Sequence, residues 1–153
     1  MHIKKLAMVF AMLSLPSIVQ ADEISEARAM LDAQAAEVSE AMATLSPGNI
    51  NLCVLQSEVV STATKMRLTG SSRPEAIQEA MAMDLGPSTS VEHGEMLLSG
   101  AIARVNEVYD IDIDGLSTPL PSEEAELRAR LVGEDAFNNC IKLVYDHKQA
   151  TKE

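Results

Sequence analysis

The stretch ISEARAMLDAQAAEVSEAMATL, Ile24 to Leu45, decides the fold class. Its apolar residues Ile24, Ala27, Leu31, Ala35, Val38, Met42 and Leu45 recur in steps of three and four. That is the period of one face of an α-helix, and no β-strand presents it. Asp22 and Glu23 stand where the first turn's dipole favours acids, and SPGN, Ser46 to Asn49, ends the helix.

The same period continues through the chain. A second helix is expected over Ile50 to Leu68, with Leu52, Leu55, Val59, Ala63 and Met66 inward and Cys53 and Val60 beside them. Gly70 fits the left-handed residue that closes a helix. SRPE then offers Ser72 as N-cap and Glu75 as the reciprocal member of a capping box, with Pro74 accepted in the first turn. Ala76, Ile77, Ala80 and Met81 form the third stripe, which extends to Leu85 and stops at Gly86-Pro87. TSVE, Thr89 to Glu92, opens a fourth helix reaching Val108 or Tyr109, with Leu98, Ala101, Val105 and Val108 on one side. Ser122 caps a last helix in which Leu127 and Leu131 face inward. Gly133 is expected to break or bend it before Phe137, Cys140, Ile141 and Val144 carry it on. The sequence therefore predicts an all-α, compact bundle of five to six helices in a single domain, residues 22–153, with a polar C-terminal tail from about His147.

The N-terminus has a different character. Lys4 and Lys5 precede an apolar run, Leu6 to Leu15, then Pro16 and the small residues of Val19-Gln20-Ala21. This is the layout of a cleaved signal peptide over residues 1–21, and the run is too short to span a bilayer. Removal leaves 132 residues carrying 10 basic and 23 acidic side chains, a net charge of −13, since Lys4 and Lys5 leave and no acid does. Nucleic acid and anionic lipid need clustered Lys or Arg and are poor partners for such a chain. A basic protein or a divalent cation complements it. The expected location is periplasmic or secreted, with no membrane span after cleavage.

Cys53 and Cys140 both survive cleavage, and an even pair in an exported chain reads as a disulfide closing a long loop. Neither belongs to a CxxC, and no histidine clusters near either in the sequence.

One motif carries metal chemistry. DIDIDG places Asp110, Asp112 and Asp114 at alternate positions before Gly115 and Leu116, matching the first five ligand and turn roles of an EF-hand loop. Position 12 is Pro121, which has no carboxylate, and position 8 is Ser117. In an extended connection the same period places Ile111 and Ile113 on the core side and the aspartates in water. Calcium at Asp110, Asp112, Asp114 and Leu116 is thus the alternative to a solvated connection. Met81, Met83 and Met96 with His93 raise copper(I) chemistry, but methionines at helical spacing are ordinarily core filler. There is no HExxH, GxSxG, phosphate loop or dinucleotide turn.

With a leader, an early helical cysteine, an R-x-x-G-x-S turn at Arg67, Gly70 and Ser72, and a late second cysteine, the layout is similar to that of small exported helical proteins of bacteria. Immunity proteins against secreted cell-wall amidases share that architecture. The likeness implies a stapled helical domain and carries no functional residue over. The expected function is binding of another protein without catalysis, as an inhibitor, immunity protein or adaptor. The alternatives are a calcium-responsive exported protein and an enzyme using His93 or His147.

Overall fold

The computed structural model describes residues 20–84, 91–113 and 118–151. Five helices account for most of them: α1 (Gln20–Thr44), α2 (Pro47–Leu68), α3 (Arg73–Ala82), α4 (Val91–Asp110) and α5 (Ser122–Ala150). No strand occurs among the described residues. The all-α, single-domain architecture expected from the periodicity is the one observed. Expectations for residues 1–19, Leu85, Gly86-Pro87, Thr89, Asp114, Gly115 and Leu116 lie outside the described residues.

The helices stack in layers around α5. On one side α2 runs antiparallel to it, with Cys53 bonded to Cys140 and Lys65 paired with Glu126 towards the other end. On the other side α1 runs parallel to it, through Arg28–Glu134 at 2.9 Å and Lys142–Glu37 at 2.7 Å. Consecutive helices α1 and α2 are thus held apart by the last helix of the chain. The α3–α4 pair packs on α2, and Val132 of α5 joins the same hydrophobic cluster.

This order explains which residues are buried. The largest cluster is made entirely of Val and Ala: Val59, Val60, Ala63, Ala76, Ala80, Ala101, Val105, Val108 and Val132. A second joins Val38, Ala41 and Leu45 to Cys53 and Ile141, and a third joins Ala27 and Leu31 to Leu131. With so few large side chains, helix axes must lie close for their surfaces to meet.

Gly133 shows how close. It does not break α5, which runs for 29 residues. A Cβ at Gly133 would lie 2.9 Å from Ser61 Cβ and 3.2 Å from the Ser57 carbonyl oxygen. The glycine marks the crossing point of α2 and α5. The staple Cys53–Cys140, with Cα atoms 5.5 Å apart across a separation of 87 residues, fixes the same pair of helices further along.

Several inward assignments shift for physical reasons. Leu52 is exposed although it shares a face with the buried Val59 and Ala63, because the α3–α4 residues of the largest cluster pack on α2 from Val59 onward, two turns later. Leu127 is exposed because α5 buries Arg128 and Leu131 instead. Ser46-Pro47 ends α1 and also opens α2: Ser46 Oγ accepts from the Asn49 N–H at 3.3 Å, with Pro47 in the first turn. Ser122 is the first residue of α5 rather than its cap. The polar segment from His147 is helical to Ala150, and Lys148 donates to the Thr44 carbonyl that ends α1.

Gly133→Ala gains up to about 1 kcal/mol in helix propensity. It nevertheless lowers stability by a net amount of about 1–3 kcal/mol in urea unfolding, since neither neighbouring atom can swing away. The loss shrinks in a Ser61→Gly background. A Gly133→Ala protein as stable as its parent would contradict the close crossing.

Candidate interaction surface

The R-x-x-G-x-S turn and the DIDI segment meet. Gly70 has φ +90°, the left-handed conformation that lets the chain leave α2, and the Ser71 N–H donates to the Met66 carbonyl at 2.8 Å. Glu75 accepts from the Ser72 N–H and hydroxyl, both at 2.7 Å, closing the capping box of α3. These hydrogen bonds hold the Glu75 carboxyl below its usual range.

Arg67 lies beneath that turn. Its guanidinium donates to the Val108 carbonyl, and to the Ile111 carbonyl at 2.5 Å, so it caps the C-terminal end of α4 where carbonyls lack helical partners. Burial lowers its pKa, with Tyr109 acting in the opposite direction. The Tyr109 ring lies under both Arg67 and Arg73, at 5.6 and 5.9 Å, and its hydroxyl donates to the Ser71 carbonyl at 2.9 Å. Burial raises the Tyr109 pKa.

Asp110 is the last residue of α4, exposed, and paired with Arg73 at 2.5 Å. Asp112 is exposed as well, while Ile111 and Ile113 are half-buried against the Val/Ala cluster. The alternation read from the sequence thus holds as far as Ile113. Asp114 and Leu116, the remaining calcium candidates, lie outside the described residues. A cation at Asp110 would compete with Arg73. Among the described residues no three His, Cys, Asp or Glu side chains are placed to share a metal ion. Met81 is exposed rather than part of the buried stripe, because α3 buries Ala76 and Ala80, a face that ends before it.

Two buried ionisable groups occur on α5. Arg128 is fully buried and donates from Nε to Glu124 Oε1 at 3.0 Å, with Nη2 2.9 Å from the same oxygen as an ion pair. Asp135 is buried and accepts from Asn139 Nδ2 at 2.9 Å. Burial pushes its carboxyl up to about 6, against the opposing effect of that hydrogen bond. Neither group was singled out in the sequence as a candidate site. A charged residue in register with the apolar stripe is the signal that could have found them. His93 is half-buried near the start of α4, and His147 is exposed in the last turn of α5.

Among the exposed large apolar side chains, Val91 is 79% exposed and Met96 63%, both in the first half of α4, and Met81, at the end of α3, is 52% exposed. Two shallow grooves flank α1, one along Ile24, Ala29, Leu127 and Leu131 and one along Ala35, Met42, Ile50 and Phe137. No described helix is long and apolar enough to cross a membrane. No protein-family model, curated protein or solved structure matches the chain.

Two predictions follow from the buried groups. Arg67→Met removes both capping donors and lowers stability by about 2–4 kcal/mol. Arg67→Lys recovers only part of this, because an ammonium has no planar fork to share between two carbonyls. Chemical denaturation measures both, and full stability in either variant would contradict the clamp. Asp135 binds its proton more tightly in the folded state, about 6 against a reference of 3.8. Its contribution to stability is therefore present below pH 4 and lost as pH rises through 6. Asp135→Asn should be more stable than the parent at pH 7 by about 1–2 kcal/mol, with the difference vanishing towards pH 4. Parallel melting curves from pH 4 to 8 would contradict the assignment.

Proposed function

We propose that this is a small exported protein, periplasmic or secreted, that binds another protein without catalysis, as an inhibitor, immunity protein or adaptor does. The observation that carries this reading is the exposure of Val91 and Met96 in the first half of α4 and of Met81 at the end of α3. Large apolar side chains left exposed in one region of a small domain are a usual mark of a protein contact. The Cys53–Cys140 staple suits an oxidising compartment, as does the leader read over residues 1–21. The described polar groups also support it, since Arg67, Glu75 and Tyr109 are engaged in caps and clamps at helix ends and Arg128 pairs with Glu124 within α5.

The test is site-specific photo-crosslinking in cells that naturally make the protein. A photoreactive residue is placed in turn at Leu52, Val54, Met81, Val91, Met96, Leu127 and Leu143, the exposed large apolar positions. A discrete protein adduct from neighbouring positions is expected. No adduct at any position would overturn the reading.

A further inference from the structure

We propose that the first half of α4, with the end of α3, is the docking site for a basic partner segment that carries apolar anchors among lysines or arginines. This rests on the protein-binding reading above and names the surface and the chemistry of its partner.

The argument begins with a mismatch of lengths. α4 has 20 residues and α3 has 10. Arg73–Asp110 and the Tyr109–Ser71 hydrogen bond place the start of α3 beside the end of α4. The two helices run antiparallel, so α3 reaches back only about 15 Å, half the length of α4. The buried residues of α4, namely Ala101, Val105 and Val108, all lie in its covered half. Residues 91–100 include no buried residue and form an overhang.

At 100° per residue, Val91, Glu95, Glu92 and Met96 fall on one outward arc of about 140°. All four are exposed. Two apolar side chains thus flank two carboxylates, and Met81 projects from the neighbouring end of α3. Methionine is flexible and polarisable, which suits it to a surface that must fit an incoming side chain.

Charge selects the occupant. Between Arg73 and Arg104 the sequence has no Lys or Arg and has five acids: Glu75, Glu79, Asp84, Glu92 and Glu95. Some surface acids elsewhere have cations, Glu37 with Lys142, Glu126 with Lys65, Glu134 with Arg28 and Glu107 with Arg104, whereas the stretch between Arg73 and Arg104 holds no cation of its own. Glu79, Glu92 and Glu95 have no cationic partner among the described residues. A second copy of this face, an anionic lipid surface and nucleic acid would each set negative charge against negative charge. A cationic segment is drawn in by the same field, and its apolar side chains gain the area offered by Val91, Met96 and Met81.

The probe is a synthetic amphipathic helix of Leu and Lys, titrated into the oxidised mature protein carrying methyl-labelled methionine. One control peptide replaces Lys by Glu, and another keeps the Lys residues but replaces Leu by Ser. The Met81 and Met96 methyl signals should move with the Leu/Lys peptide while Met30, Met42 and Met66 stay still. Glu92→Lys with Glu95→Lys should weaken binding at least about tenfold and flatten its salt dependence. An unchanged melting temperature is the control that the Glu92→Lys, Glu95→Lys protein keeps its fold.

Shifts at Met30 or Met42 instead, equal affinity for the Leu-free peptide, indifference to the charge reversal, or no saturable binding would each overturn the proposal. The crosslinking experiment separates this failure from that of the function. Adducts at Leu52, Leu127 or Leu143 but not at Val91 or Met96 leave protein binding standing and move the surface. An adduct at Met96 of twice the protein's own mass makes the occupant a second copy and overturns the basic partner.

Discussion

The close crossing of α2 and α5 at Gly133 is the constraint on which the rest of the structure depends. Apart from the partly buried aromatics, the side chains available for packing are Val, Ala, Leu, Ile and Met, and they fill space only when helix axes lie near one another. Gly133 opposite Ser61 allows that approach, and the Cys53–Cys140 bond holds the pair further along. In the unfolded chain the same bond closes a loop of 87 residues, a restriction of about 4–5 kcal/mol in chain entropy. α5 is then central, with α1 attached to one side and α2 to the other.

The α3–α4 layer is attached by polar means as much as by apolar ones. Arg67 reaches from the end of α2 to the last carbonyls of α4, Tyr109 reaches back to the turn after α2, and Arg73 pairs with Asp110. The described pairing is concentrated at one end, and the first half of α4 contains no fully buried residue. The clamp therefore fixes where that half of α4 projects. The DIDI segment belongs to this clamp in its first half, with its isoleucines against the core and Asp110 against Arg73.

Much of the architecture was legible in the sequence because it depends on neighbours in the chain. The stripe of α1, the Ser72–Glu75 capping box and the left-handed Gly70 each follow from local rules, and the cysteine pair follows from parity in an exported chain. What was not legible depends on which helix lies beside which. Gly133 reads as a helix breaker in isolation, and only the presence of α2 shows it to be a crossing point. Leu52 and Leu127 fit helical stripes whose other members, Val59 and Leu131, are buried, but how far along each stripe the neighbouring helices reach is set by the packing. Met81 belongs to the apolar pattern of α3 yet falls at the edge of the face that α4 and α2 cover. The overhang of α4 was invisible for the same reason, since it is a difference between two helix lengths that appears only once they are paired.

Native-state hydrogen exchange on the oxidised protein tests the central place of the α2–α5 pair most directly. Amides of residues 53–64 and 128–141 should exchange slowest, at rates set by global unfolding. Those of α1 should exchange faster, and those of residues 91–100 fastest among the helices. Slowest exchange in α1, or protection of residues 91–100 equal to that of α5, would contradict the account.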